Sequence, residues 1–80
     1  MKDEITLAEK QTITQILDTA RSYGFKAQIS HYDEKTVWIW SDCADIEKAT
    51  NYDDLYCDLG AISTIDFQTD EDKMEVWIKG

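Results

Sequence analysis

Proline is absent from this 80-residue chain. No Pro-, Gly- or Ser-rich linker interrupts it, so residues 1–80 are expected to form a single domain with short connections. Glycine is nearly as scarce, and Gly24, Gly60 and Gly80 stand apart, which excludes the clustered glycines of a phosphate-cradling loop. The one histidine, His31, lies mid-strand in a sequence that marks no Ser or Cys as its nucleophile partner, and it reads as structural or exposed. Cys43 and Cys57 form no CxxC pair, so they fit neither a zinc site nor a thioredoxin-type motif. They are expected to be free thiols in a reducing compartment, partly buried as small hydrophobes. No apolar run approaches the roughly 18 residues of a membrane span. The start, Met1-Lys2-Asp3-Glu4-Ile5-Thr6, carries charge of both signs and lacks the apolar segment of a signal peptide. The expected setting is therefore cytoplasmic.

Basic residues are the last scarcity: eight Lys and Arg face 17 Asp and Glu, for a net charge of −9. Residues 1–41 hold six acids and five bases, whereas residues 42–75 hold eleven acids and two bases. Such a field repels DNA, RNA and anionic membranes as direct ligands and complements a basic protein surface. Three Trp, four Tyr and two Phe supply the bulk that a disordered acidic chain would lack, so the composition is that of a folded domain.

Periodicity then predicts the elements. Ile13, Ile16, Leu17 and Ala20 form one apolar stripe of a helix over 7–23. Thr6 and Glu9 are spaced as a capping box, Gly24 is placed to take the left-handed stop position, and Phe25 follows it to pack on Ala20. Residues 25–32 alternate as a strand, Asp33-Glu34-Lys35 makes a turn, and Thr36-Val37-Trp38-Ile39-Trp40-Ser41 completes a hairpin. In residues 42–59 two short helical pieces are expected, with Ile46, Ala49, Tyr52 and Tyr56 on one face and Gly60 ending the second. Strands are predicted over 61–67, with Ser63, Ile65 and Phe67 on one side, and over 74–79, joined by a turn at 68–73. The fold class is α+β, an N-terminal helix on a small antiparallel sheet in the order α-β-β-α-β-β. The two halves share an Asp-to-Gly spacing (Asp18 to Gly24, Asp54 to Gly60) and the triplets Val37-Trp38-Ile39 and Val76-Trp77-Ile78, which suggests an internal α-β-β duplication. Sequence leaves open whether the hairpins share one layer or pack as two.

Alternation along the strands has a consequence for the tryptophans. If Val37, Ile39, Val76 and Ile78 pack under the helix, then Trp38, Trp40 and Trp77 project from the other face, where Tyr32 can join them. Three outcomes are open for that face: a second core beneath the middle segment, a homodimer contact, or an anchor for a partner. No cofactor is expected. Asp70-Glu71-Asp72 lacks the glycine and distal glutamate of a calcium loop, and Asp53, Asp54 and Asp58 read as a solvated acidic face and not as metal ligands. Carboxylates are too many and too evenly spread to mark a catalytic pair, so the protein is not expected to be an enzyme.

The acids do have a useful spacing. Residues two apart on a strand lie roughly 6.6 Å apart and residues four apart on a helix near 6 Å, close to the gap between successive phosphates of a nucleic-acid strand. Candidate phosphate mimics are Asp42, Asp45, Glu47, Asp53, Asp54, Asp58, Asp70, Glu71, Asp72 and Glu75. In size, acidity and lack of catalytic groups, the chain resembles the small inhibitors encoded by bacteriophages and other mobile elements, among them anti-CRISPR and anti-restriction proteins of the DNA-mimic type. The resemblance implies a non-catalytic protein that blocks a basic nucleic-acid-binding surface of a defence complex in the host cytoplasm. Two alternatives remain: an immunity protein or antitoxin capping a basic toxin or nuclease, and a self-assembling structural subunit.

Overall fold

A computed structural model describes residues 5–42, 45–70 and 72–79. Helix α1 spans Leu7–Ser22. Its start is the expected capping box: the Thr6 hydroxyl accepts the Glu9 N–H at 3.1 Å, and the Glu9 carboxylate accepts the Thr6 N–H at 2.9 Å. It ends because Gly24 adopts a positive φ of 88°. That conformation lets the Phe25 N–H reach the Ala20 carbonyl (3.1 Å) and the Gly24 N–H reach that of Arg21 (3.0 Å). These are the two bonds of a Schellman stop. Ile13, Ile16 and Ala20 are buried, while Leu17 flanks the core half-buried.

Strands β1 (Lys26–Ile29), β2 (Thr36–Trp40), β3 (Ile65–Thr69) and β4 (Lys73–Ile78) form one antiparallel sheet, with a 3-10 helix at Ile46–Lys48 and helix α2 at Tyr52–Gly60 between the hairpins. The class is α+β with the chain order α-β-β-α-β-β, and both hairpins lie in a single layer. In space the order is β1-β2-β4-β3, so β2 and β4 pair at the centre and the spatial order departs from the chain order. This makes β2 and β3 parallel with β4 between them, and such a connection needs a crossover, here supplied by α2. Both helices lie on one face. Val37 and Ile39 from β2, Met74 and Val76 from β4, Leu55 and Leu59 from α2 and Ile46 are completely buried with Ile16 and Ala20.

The halves meet symmetrically at the centre. Val37 lies directly opposite Val76, and the flanking pairs Thr36–Trp77 and Trp38–Glu75 interchange when the two hairpins are interchanged. The helix ends break the likeness: Gly60 is the last residue of α2 and does not take a left-handed conformation, and its cap is Ala61 at φ −76°. Residues 61–64 are not strand, so Ser63 stays exposed outside β3. The second turn is tighter than the polarity of 68–73 suggests, since Gln68 and Thr69 extend β3 and Lys73 opens β4. The Asp70 N–H donates to the Lys73 carbonyl at 2.8 Å.

The middle segment folds differently from its tyrosine pattern. Leu55 and Leu59 form the buried stripe of α2, and Tyr56 is half exposed, its ring edge-on to Phe67 at 5.0 Å. A two-leucine stripe suffices because α2 seats on one strand and the neighbouring helix, a narrower surface than a full sheet. Cys57 is exposed on the same helix, which corrects the expectation of a partly buried thiol, while Cys43 lies outside the described residues. Among the described residues no helix is long and apolar enough to cross a membrane.

Candidate functional site

Because both helices occupy one face, the opposite face of the sheet carries no element among the described residues. The register places Lys26, Trp40 and Lys73 in one row across it, Gln28, Trp38, Glu75 and Gln68 in the next, and Thr36, Trp77 and Asp66 in a third. Trp38, Trp40 and Trp77 are each half-buried there. Among the described residues the middle segment does not cover them, so they form no second core there. Their partial burial comes from neighbours on the same face. The Trp38 indole lies under Lys73, whose Nζ is 5.0 Å from the ring, and its Nε1–H donates to Glu75 at 3.3 Å. Tyr32 meets the same indole at 6.2 Å between centroids, and His31, exposed beyond the end of β1, meets it edge-on at 6.1 Å. Tyr32 therefore joins the tryptophans as its position implies. Lys73 is the member that sequence reading missed: the alternation of β4 puts it on the face of Trp77, and the strand register sets it opposite Trp40.

The acids divide by place. The fold gathers several of them at the end of the molecule where β2 leaves the sheet: the 3-10 helix carrying Glu47, the first turn of α2 carrying Asp53 and Asp54, and the β3–β4 turn carrying Asp70 and Asp72. The Tyr52 hydroxyl, 2.8 Å from Thr69 Oγ1, ties the start of α2 to the end of β3 and brings these segments together. All five carboxylates are exposed, and none forms an ion pair among the described residues. The N-terminal dipole of α2 favours Asp53 and Asp54 without any lysine. Glu71 belongs to the same turn in sequence but lies outside the described residues.

The remaining candidates are already engaged within the fold. Asp42 pairs with Lys26 at 2.9 Å, and Asp45 caps the 3-10 helix by accepting the Glu47 N–H at 3.0 Å. Glu75 accepts from Trp38 on the open face, away from the other acids. Asp58 accepts from the Tyr23 hydroxyl, which joins the end of α1 to α2, and the Asn51 side chain donates to the Tyr23 carbonyl at 3.0 Å. That hydrogen bond, with partial burial and the nearby Asp54 charge, raises the Tyr23 phenol above its usual 10.0. Sequence spacing treated ten acids alike, and the tertiary fold separates five unpaired ones from four with partners. No family model matches the chain, and no curated protein and no solved structure is similar to it.

Proposed function

We propose that this protein is a non-catalytic acidic inhibitor of the phage type, anti-CRISPR or anti-restriction, that occupies a basic nucleic-acid-binding surface of a host defence complex by charge mimicry. The observation that carries this reading is the convergence of Glu47, Asp53, Asp54, Asp70 and Asp72, exposed and without ion pairs among the described residues, on one end of the domain. Unpaired carboxylates keep their charge available to an incoming Lys or Arg, and the net charge of −9 steers that encounter. An immunity protein or antitoxin facing a basic nuclease would use the same end.

The test is capture from a bacterial lysate on the immobilised protein at about 0.1 M salt, followed by displacement with excess duplex DNA. Charge mimicry requires that DNA release the captured complex and that Asp53→Lys, Asp54→Lys, Asp70→Lys and Asp72→Lys together reduce capture by at least about tenfold. A complex that stays bound under DNA, or that the reversed variant retains, overturns it. The half-buried tryptophans on an uncovered face favour a second reading, self-assembly. It predicts a concentration-dependent oligomer that survives high salt in size-exclusion chromatography.

A further inference from the structure

The open face carries a concavity at one end. It is a groove of about 360 Å³ beside the β1–β2 turn, lined chiefly by Tyr32, Asp33, Thr36, Trp38, Glu75 and Trp77. Its cause is a small residue among large ones. Thr36 is followed two positions on by Trp38, faces Trp77 across the strand pair, and accepts the Ser30 N–H on its other side at 2.8 Å, so the surface dips at Thr36 between aromatic walls. Tyr32, which is 90% exposed, stands over this dip against the Trp38 ring.

Two carboxylates, Asp33 and Glu75, belong to the lining, and each is held in place by neutral donors. Asp33 accepts the Lys35 N–H at 2.9 Å and the Thr36 hydroxyl at 3.0 Å, while Glu75 accepts from the Trp38 indole. Neither forms an ion pair among the described residues. Lys35 also lines the groove, but its ammonium is paired with Glu9 at 3.1 Å. Lys73, the cation over Trp38, belongs to a separate hollow with Gln68, Asp70 and Glu75.

We propose that this groove receives the guanidinium of an arginine on a basic partner. Aromatic walls attract a cation through their ring quadrupoles, as the Lys73 contact with Trp38 already shows at the groove's edge. A guanidinium offers flat faces to the rings and several N–H donors to two separately fixed carboxylates, which a lysine ammonium does not. An anion meets the field of −9, and a neutral apolar group would strip water from Asp33 and Glu75 without replacing their hydrogen bonds. The proposal rests on the proposed function only in taking the partner to be basic.

The test needs no partner. N-acetyl-arginine methylamide is titrated into the full chain while the tryptophan indole N–H signals are followed by NMR, with the citrulline and lysine analogues as controls. The structure requires saturable shifts at Trp38 and Trp77 that exceed those at Trp40, which lies outside the groove. Saturation is expected within about 50 mM, with affinity at least about 5-fold weaker for the lysine analogue and for Glu75→Gln, and none for citrulline. Glu75→Gln keeps an acceptor for Trp38, so the wall stays in place. The groove assignment is overturned by shifts that do not saturate, by equal response to citrulline or lysine, or by equal movement of Trp40. The variant reversed at Asp53, Asp54, Asp70 and Asp72 retains the groove. A normal titration with lost DNA-displaceable capture therefore removes mimicry alone, and intact capture with no titration removes the groove alone.

Discussion

Glu9 does two things at once: its carboxylate closes the capping box by accepting the Thr6 N–H, and it pairs with Lys35 across to the β1–β2 turn. Those contacts, the Thr6 backbone hydrogen bond foremost and Lys35 next, hold its carboxyl below the usual 4.5. A carboxyl depressed in the folded state adds stability that is fully present above 4.5 and lost as pH falls through the lower folded value. Glu9→Gln keeps the capping geometry but loses the charge. The variant should be less stable than the parent near neutrality, and urea unfolding between about pH 7 and pH 2 should show the two converging below 4.5. A constant gap across that range would mean that the charge contributes nothing.

At the scale of elements, α1 depends on a single backbone conformation at its end. A Cβ at Gly24 would meet nothing within 4 Å, so the residue is glycine because of its φ of 88° and not for want of space. Gly24→Ala should then cost about 1 kcal/mol through the left-handed conformation alone. The expected readout is a lower urea midpoint with an unchanged slope, because the surface exposed on unfolding does not change. Stability equal to the parent's would show that α1 does not need the Schellman stop. Gly60 makes the contrast: it lies inside a right-handed turn, so the Asp-to-Gly spacing shared by the two halves does not bring a shared conformation.

Across the whole molecule, charge is the dominant long-range term. The domain measures 40 × 23 × 18 Å, and the screening length is about 30 Å at 0.01 M salt against about 3 Å at 1 M. At low salt the unpaired acids at one end therefore repel Asp58, Asp66 and Asp18 over most of the body, and among the described residues the pairs Lys26–Asp42 and Lys35–Glu9 work against this. Added sodium chloride should raise the melting temperature, by roughly 4–8 °C for each kcal/mol of repulsion screened in a domain of this size. Calorimetry at low and high salt checks this. A fall in melting temperature would show that the two ion pairs outweigh the net charge.

Much of this protein is local and was legible in its sequence. The Thr6–Glu9 box, the Gly24 stop, the turn at Asp33 and the period-two pattern of Val37, Ile39, Val76 and Ile78 rest on contacts within a few residues, and each appears where spacing predicts it. The α+β class follows from them, as does the projection of Trp38, Trp40 and Trp77 to a common face. What lies beyond a few residues depends on packing partners that spacing cannot name. Only the tertiary structure decided that α2 seats on α1 and β3, burying Leu55 and Leu59 instead of Tyr56 and leaving the tryptophan face bare. It alone separated Asp53, Asp54, Asp70 and Asp72, which stay unpaired, from Asp42, Asp45, Asp58 and Glu75, whose partners come from other segments or caps. The dip at Thr36 likewise needs the register that sets Trp77 opposite it, a pairing between strands from the two halves of the chain. Alternation along one strand assigns a side chain to a face, and only the pairing of strands says what stands beside it.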